Sequence, residues 1–238
     1  MANPFATIFC DFDGTITPED TFDAVVMAVA PQVWIPLKRQ LFCFEITLRQ
    51  GMELLATALT PDDLEQMVNH MGQFQPRPGF LPFLDELEAA KIPFVLVSAG
   101  LTPLVEKVMA PHRHRFLQLV AAHVTSHPRE GLRFHREFYS TDELVAKQQV
   151  ISRYGGGLNV VIGDSITDLG MAQVADLVFA REPLCHWLEQ RNIAHHRWLD
   201  FDDVSAVLRA KGLLPVIDAE TPHAPPLDAK PRLIPGDG

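Results

Sequence analysis

Residues 5–17, FATIFCDFDGTIT, decide how the rest of this chain is read. Ala6 to Cys10 is a short apolar run rich in β-formers and bounded by turn residues, the pattern of a strand buried on both faces. Such a strand delivers Asp11 and Asp13 to its C-terminal end, where open α/β sheets bind their ligands. The period of two points both carboxylates to one side, and Gly14 lets the backbone turn sharply beside whatever they hold. Two carboxylates this close repel each other unless a cation or a proton lies between them. The pair therefore implies a metal site, a nucleophile with a general acid, or both.

Beyond this stretch the pattern switches from strand to helix. Thr17 is placed to cap a helix, Pro18 suits its first turn, and Glu19 and Asp20 favour its N-terminal dipole. Phe22, Val25, Val26 and Val29 follow on one helical face. Pro31 and Pro36 read as breaks, with further helices over 37–44, 48–59 and 64–71, the last opened by Thr60 and Pro61. Roughly 55 residues of helix thus separate the first strand from the second, as in an inserted lobe. The segment QFQPRPG, 73–79, reads as the hinge back.

From Phe80 onward helices and strands alternate as in a doubly wound parallel sheet. A helix over 80–90 and a strand over 93–97 lead into the turn Ser98-Ala99-Gly100 and a helix over 103–109. Residues 117–124 and 132–139 read as a hairpin or an irregular excursion. Ser140 and Glu143 have capping-box spacing, which predicts a helix carrying Lys147 on its second turn. The apolar strand 158–162 runs directly into GDSITD, 163–168, and helix, strand, helix, a short extended piece and a last helix follow to residue 210. The expected organisation is a Rossmann-like α/β core at 1–17 and 77–215, a helical cap at 18–76, and a proline-rich disordered tail at 216–238.

A formal charge of −10 argues against a nucleic-acid partner, which needs a basic patch. Cys10, Cys43 and Cys185 are too few and too scattered for a disulfide framework or a zinc cluster, which predicts a cytoplasmic protein. No stretch reaches the roughly 18 apolar residues of a membrane helix. The ten histidines lack acidic partners at ligand spacing and read as surface or core residues.

Four motifs in order, DFDGT at 11–15, Ser98 after a strand, Lys147 on a helix and GDSITD at 163–168, resemble the haloacid dehalogenase superfamily of phosphotransferases. The helical insertion between the first two is similar to the capped subclass that includes phosphoserine phosphatase. The runs IGDSITDLGMAQVADLVFAR and LEQRNIAHHRW narrow the resemblance to its methionine-salvage branch. The resemblance implies a phosphatase acting on a small phosphomonoester, in which Asp11 attacks phosphorus and Asp13 serves as acid and then base. It implies Mg²⁺ held by the Asp11 carboxylate, the Asp13 carbonyl and Asp164, with Asp168 in support. Ser98, the amides around Ala99 and Gly100, and Lys147 would contact the phosphate. In the cap, Asp20 with Arg49 would suit an ammonium and a carboxylate, as in phosphoserine, whereas Phe22, Val26, Trp34, Phe42 and Phe44 would suit an apolar tail. A non-catalytic phosphate-binding protein is the alternative of another class, and an acid two residues beyond the nucleophile argues against it.

Overall fold

The computed structural model describes residues 6–127, 131–135 and 137–215; the tail expected to be disordered, 216–238, lies outside the described residues. Three parallel strands, β1 (Ala6–Cys10), β2 (Phe94–Leu101) and β3 (Gln118–Ala122), form one half of the main sheet. An antiparallel pair follows, β4 (Val124–His127) with β5 (Gly131–Phe134). The chain then returns to the far side of β1 with β6 (Leu158–Gly163), β7 (Leu177–Ala180) and β8 (His196–Arg197), all parallel. The spatial order is β3-β2-β1-β6-β7-β8, so the winding reverses at β1. In open α/β sheets ligands bind beyond the carboxyl ends of the strands where the winding reverses, which singles out the C-terminal end of β1.

The central strands read as unbroken apolar runs because helices cover both faces. Ile8 to Cys10, Val95 to Val97 and Val160 to Ile162 are all buried. Four helices stand between β1 and the next sheet strand's leading helix: α1 (Thr21–Val29), α2 (Pro31–Phe42), α3 (Leu48–Ala58) and α4 (Pro61–Met71), followed by α5 (Phe80–Ala90). The remaining helices are α6 (Thr102–Met109), α7 (Lys147–Tyr154), α8 (Leu169–Val174), α9 (Leu184–Gln190) and α10 (Phe201–Ala210). Within the inserted group α1 packs on α4 and α2 on α3, while α3 also packs on β5. No helix among the described residues is long and apolar enough to cross a membrane.

The structure departs from the sequence reading in four places, each with a local cause. The first inserted helix is capped by Asp20, whose carboxylate accepts from the Asp23 amide at 2.8 Å, and not by Thr17. The Thr17 hydroxyl is buried and donates to the Phe12 and Glu19 carbonyls, which closes the loop after β1. Pro36 does not break α2: it lies on an exposed face, where water can satisfy the one carbonyl its missing N–H leaves free. Residues 118–122 belong to the main sheet as β3, and the hairpin is the shorter β4/β5 pair. Residues 140–146 form a turn, with the Ser140 hydroxyl accepting from the Glu143 amide at 3.0 Å. Leu144, Val145 and Ala146 are all buried, and three consecutive buried residues cannot share one helical face. Lys147 is therefore the first residue of α7, not part of its second turn.

Candidate active site

The end of β1 lies between the ends of β2 and β6, with Cys10 in register with Leu96 on one side and Ile162 on the other. Adjacent strands therefore bring Asp11, Ser98 and Asp164 to one end of the sheet. Lys147 reaches the same point from the start of α7 and is fully buried. Its ammonium donates to Asp11 Oδ1 at 2.5 Å and to Asp168 Oδ1 at 2.6 Å. Burial alone would lower the pKa of this amine, but the Asp11 and Asp168 charges more than offset that and hold it above the ordinary lysine value.

Asp168 links this ion pair to the loop after β6. Its Oδ2 accepts from the amides of Asp164 and Ser165, both at 3.0 Å, so neither of its oxygens lacks a protein donor. Gly163 permits this closure, since a Cβ there would lie 2.5 Å from Asp168 Oδ2. Asp164 in turn lies against the first motif, accepting from the Thr15 hydroxyl at 3.1 Å. Gly14, at φ +75°, leaves room for it: a Cβ on Gly14 would stand 2.2 Å from Asp164 Oδ2. The glycine of DFDGT and the first aspartate of GDSITD are thus one contact made from both ends of the sequence.

The carboxylate oxygens of Asp11, Asp164 and Asp168 come within 4.8 Å of one another, a group that could hold a metal ion. Burial, then the Asp168 charge, pushes the Asp164 carboxyl up to about 7. The same two causes raise Asp11 well above the ordinary aspartate value, against the pull of Lys147. This crowding of buried carboxylates around a single ammonium, with hard oxygen donors only, fits a divalent cation such as those that favour carboxylates.

Asp13 stands apart from that group and faces the inserted helices. Its Oδ1 accepts from the amides of Thr21 and Phe22, each at 3.1 Å, and from the Thr21 hydroxyl. Burial raises its pKa in spite of these bonds, which favour the charged form. Ser98 is fully buried; its hydroxyl accepts from the Gly100 amide at 2.9 Å and faces Asp13 Oδ2 at 3.4 Å. The Gly100 amide is accordingly already bonded within the chain. Phe22 lies on the same side, its ring 3.8 Å from where a Gly100 Cβ would be.

The two cap residues expected to form an acid–base pair are not paired with each other. Asp20 caps α1, and Arg49 donates to the Tyr139 hydroxyl at 2.9 Å while its backbone amide bonds the Asp142 carbonyl. Of the expected apolar contacts only Phe22 adjoins Asp13 and Gly100. Val26 and Trp34 are core residues, and Phe42 and Phe44 are exposed. Thr15 and the Thr21 and Phe22 amides were not singled out in the sequence; Thr15, inside DFDGT, carried the only signal for them.

A profile of the haloacid dehalogenase-like hydrolases matches residues 8–173. The chain belongs to that family. A Microcystis aeruginosa 2-hydroxy-3-keto-5-methylthiopentenyl-1-phosphate phosphatase is 34% identical over 204 residues, covering 84% of this chain and 96% of the relative. A Brevibacillus brevis protein of the same name is 31% identical over 215 residues, covering 85% and 94%. Among solved structures, a phospho-aspartyl intermediate analogue of phosphoserine phosphatase superposes with a TM-score of 0.65 at 16% identity, covering 85% of this chain and 98% of that one. The T. onnurineus phosphoserine phosphatase gives 0.65 at 15% identity, covering 86% and 94%. At such identities the structural likeness is one of fold. The chain is a hydrolase of this family, and the relatives named here are phosphatases.

Lys147→Met keeps the apolar stem and removes the charge, leaving Asp11 and Asp168 facing each other in a buried site. In metal-free buffer at neutral pH this is expected to cost about 3–5 kcal/mol in urea unfolding. The deficit should shrink on acidification, because Lys147 holds the raised Asp11 pKa down and its loss lets the folded variant take up a proton at a higher pH than the folded wild type does. A loss under about 1 kcal/mol would show that the ammonium is not what balances these carboxylates.

Proposed function

We propose that this hydrolase is a Mg²⁺-dependent phosphatase acting through an aspartyl-phosphate on Asp11, with 2-hydroxy-3-keto-5-methylthiopentenyl-1-phosphate as its substrate and the cytoplasm as its compartment. The observation that carries the reading is the separation of two neighbouring aspartates into two environments. Asp11 Oδ1 is held by Lys147, which leaves the other oxygen as the attacking atom. Asp13 is turned away, toward Ser98 and α1, as a proton carrier should be.

In the first step an Asp11 oxygen bonds to phosphorus, the ester P–O bond breaks, and Asp13 gives its proton to the departing oxygen. In the second, Asp13 as carboxylate takes a proton from water, whose oxygen attacks phosphorus; inorganic phosphate leaves and the Asp11 carboxylate is restored. Asp11 and Asp164, with the Asp13 backbone carbonyl, would hold the cation, which when bound would offset charge on the phosphoryl oxygens. Asp168 supports that set by fixing Lys147 and the Asp164 loop. Ser98, Ala99, Gly100 and Lys147 border the space for the phosphoryl group. Residues 18–76 serve as the cap over a core of 1–17 and 77–215.

The substrate rests on the named relatives and on the chemistry of the cap. A phosphoserine site must pair an ammonium and a carboxylate, both costly to desolvate. Asp20 and Arg49, the candidates for that role, have partners elsewhere, whereas Phe22 offers an apolar face beside Gly100. A methylthio-ethyl chain against such a face gains on the order of 0.8 kcal/mol per buried CH₂.

Asp11→Asn should lower kcat at least about a thousandfold in freshly purified protein, since an amide is no nucleophile for phosphorus. Substantial residual turnover, with deamidation excluded by mass, would refute Asp11 as the attacking group. Chelation should stop the wild-type enzyme and Mg²⁺ restore it; turnover that survives thorough chelation would remove the cation from the mechanism. On substrate, kcat/KM for the methylthiopentenyl phosphate should exceed that for phosphoserine by about a hundredfold or more, roughly 2.7 kcal/mol. Equal values, or a preference for phosphoserine that Arg49→Ala removes, would reverse the assignment.

A further inference from the structure

Five consecutive backbone carbonyls, those of residues 14–18, accept hydrogen bonds from one residue, Arg77. Its Nε donates to Thr15 O at 3.0 Å. One terminal nitrogen reaches Gly14 O at 2.8 Å, Thr17 O at 3.2 Å and Pro18 O at 3.4 Å, and the Arg77 backbone amide reaches Ile16 O at 2.6 Å. The loop it grips is the one that turns at Gly14 against Asp164, carries Asp13 at its start, and leads into α1. Arg77 itself lies between α4 and α5, in the segment that returns from the inserted helices. One side chain therefore ties together both crossings between the sheet and the insertion.

The guanidinium is also fixed from behind. It lies 5.6 Å from the ring centre of Trp198, which is 3% exposed and packs on Phe201. A second guanidinium, Arg181, stands 5.1 Å from the same ring and donates to Leu199 O, so the indole is held by a cation other than Arg77 as well. A planar fork seated on an indole can aim several N–H groups at a fixed arc of carbonyls. A lysine ammonium at this place could donate three bonds but has no such plane.

We propose that Arg77 is a positioning residue that holds the 13–18 loop in its reactive shape and joins both arms of the insertion to it. The inference rests on the reading of Asp11 and Asp13 as the reacting carboxylates. Arg77 touches neither, so its removal changes the placement of Asp13 and the Gly14 turn and leaves their chemistry in place.

The test uses the full chain with Arg77→Ala and Arg77→Lys and two readouts. Hydrogen exchange of peptides spanning 12–22 should speed up at least about tenfold in Arg77→Ala, with β2 and β6 unchanged; this needs no turnover and judges the latch separately from the phosphatase reading. In steady-state kinetics with p-nitrophenyl phosphate, kcat should fall at least about tenfold with KM moved less than about threefold. Free guanidinium, well below denaturing concentration, should restore part of that kcat where equal sodium chloride does not. Arg77→Lys should fall between wild type and Arg77→Ala. Unchanged exchange in 12–22, or kcat within about twofold of wild type, overturns the proposal. If Arg77→Ala does not fold, Arg77→Lys decides by the same two readouts; failure of both to fold overturns positioning in favour of a purely structural role. A wild type inactive on every phosphomonoester would sink the phosphatase reading while the exchange result still judged Arg77.

Discussion

A buried ammonium shared between two carboxylates, Lys147 between Asp11 and Asp168, is the constraint on which the candidate active site depends. Removing two anions and a cation from water is costly, and their mutual attraction returns that cost only where the geometry is good and the remaining lone pairs are bonded. For Asp168 they are: its second oxygen accepts two amides of the Asp164 turn. One carboxylate thus fixes the lysine, the loop after β6 and, through Asp164, the Gly14 turn after β1. The gain lies in specifying one arrangement of three chain segments more than in net stability.

That arrangement was legible in the sequence to the degree that its geometry is local. Asp11, Asp13 and Asp164 follow apolar strands, and a strand end is a place that a short sequence can predict. Lys147 was legible as a residue but not as a position. The capping-box spacing of Ser140 and Glu143 favoured an earlier helix, and only the burial of Leu144 to Ala146 in the core rules it out. Thr17 is ambiguous in the sequence for a related reason: its hydroxyl can cap a helix or close a loop, and the partners that decide are Phe12 and Glu19 carbonyls already committed to the turn.

What stayed hidden depends on contacts across long stretches of chain. Arg49 looks like a free cation in a helical segment, yet its partner Tyr139 is 90 residues away, on the far side of the β4/β5 hairpin. Phe42 and Phe44 look suited to an apolar ligand tail but are 73% and 75% exposed: α2 presents Trp34 and Leu37 inward and leaves Phe42, its last residue, outside, while Phe44 lies in the turn beyond it. Periodicity identifies a face; it does not say which neighbour the face will meet.

The seat of Asp13 connects the insertion to the proposed chemistry. A helix leaves its first amides without internal partners and places partial positive charge there. In α1 these amides are shared by two aspartates: Asp20 takes that of Asp23, and Asp13 takes those of Thr21 and Phe22. Burial favours the protonated form of Asp13, ready to donate, while the helix N-terminus favours the carboxylate left after donation. The two influences oppose each other, burial being the larger, so the surroundings offer something to each form that a group acting first as acid and then as base must take. Because α1 supplies three hydrogen bonds to a single Asp13 oxygen, a displacement of the inserted helices would alter the surroundings of Asp13, and on the proposed chemistry it would alter proton transfer with them.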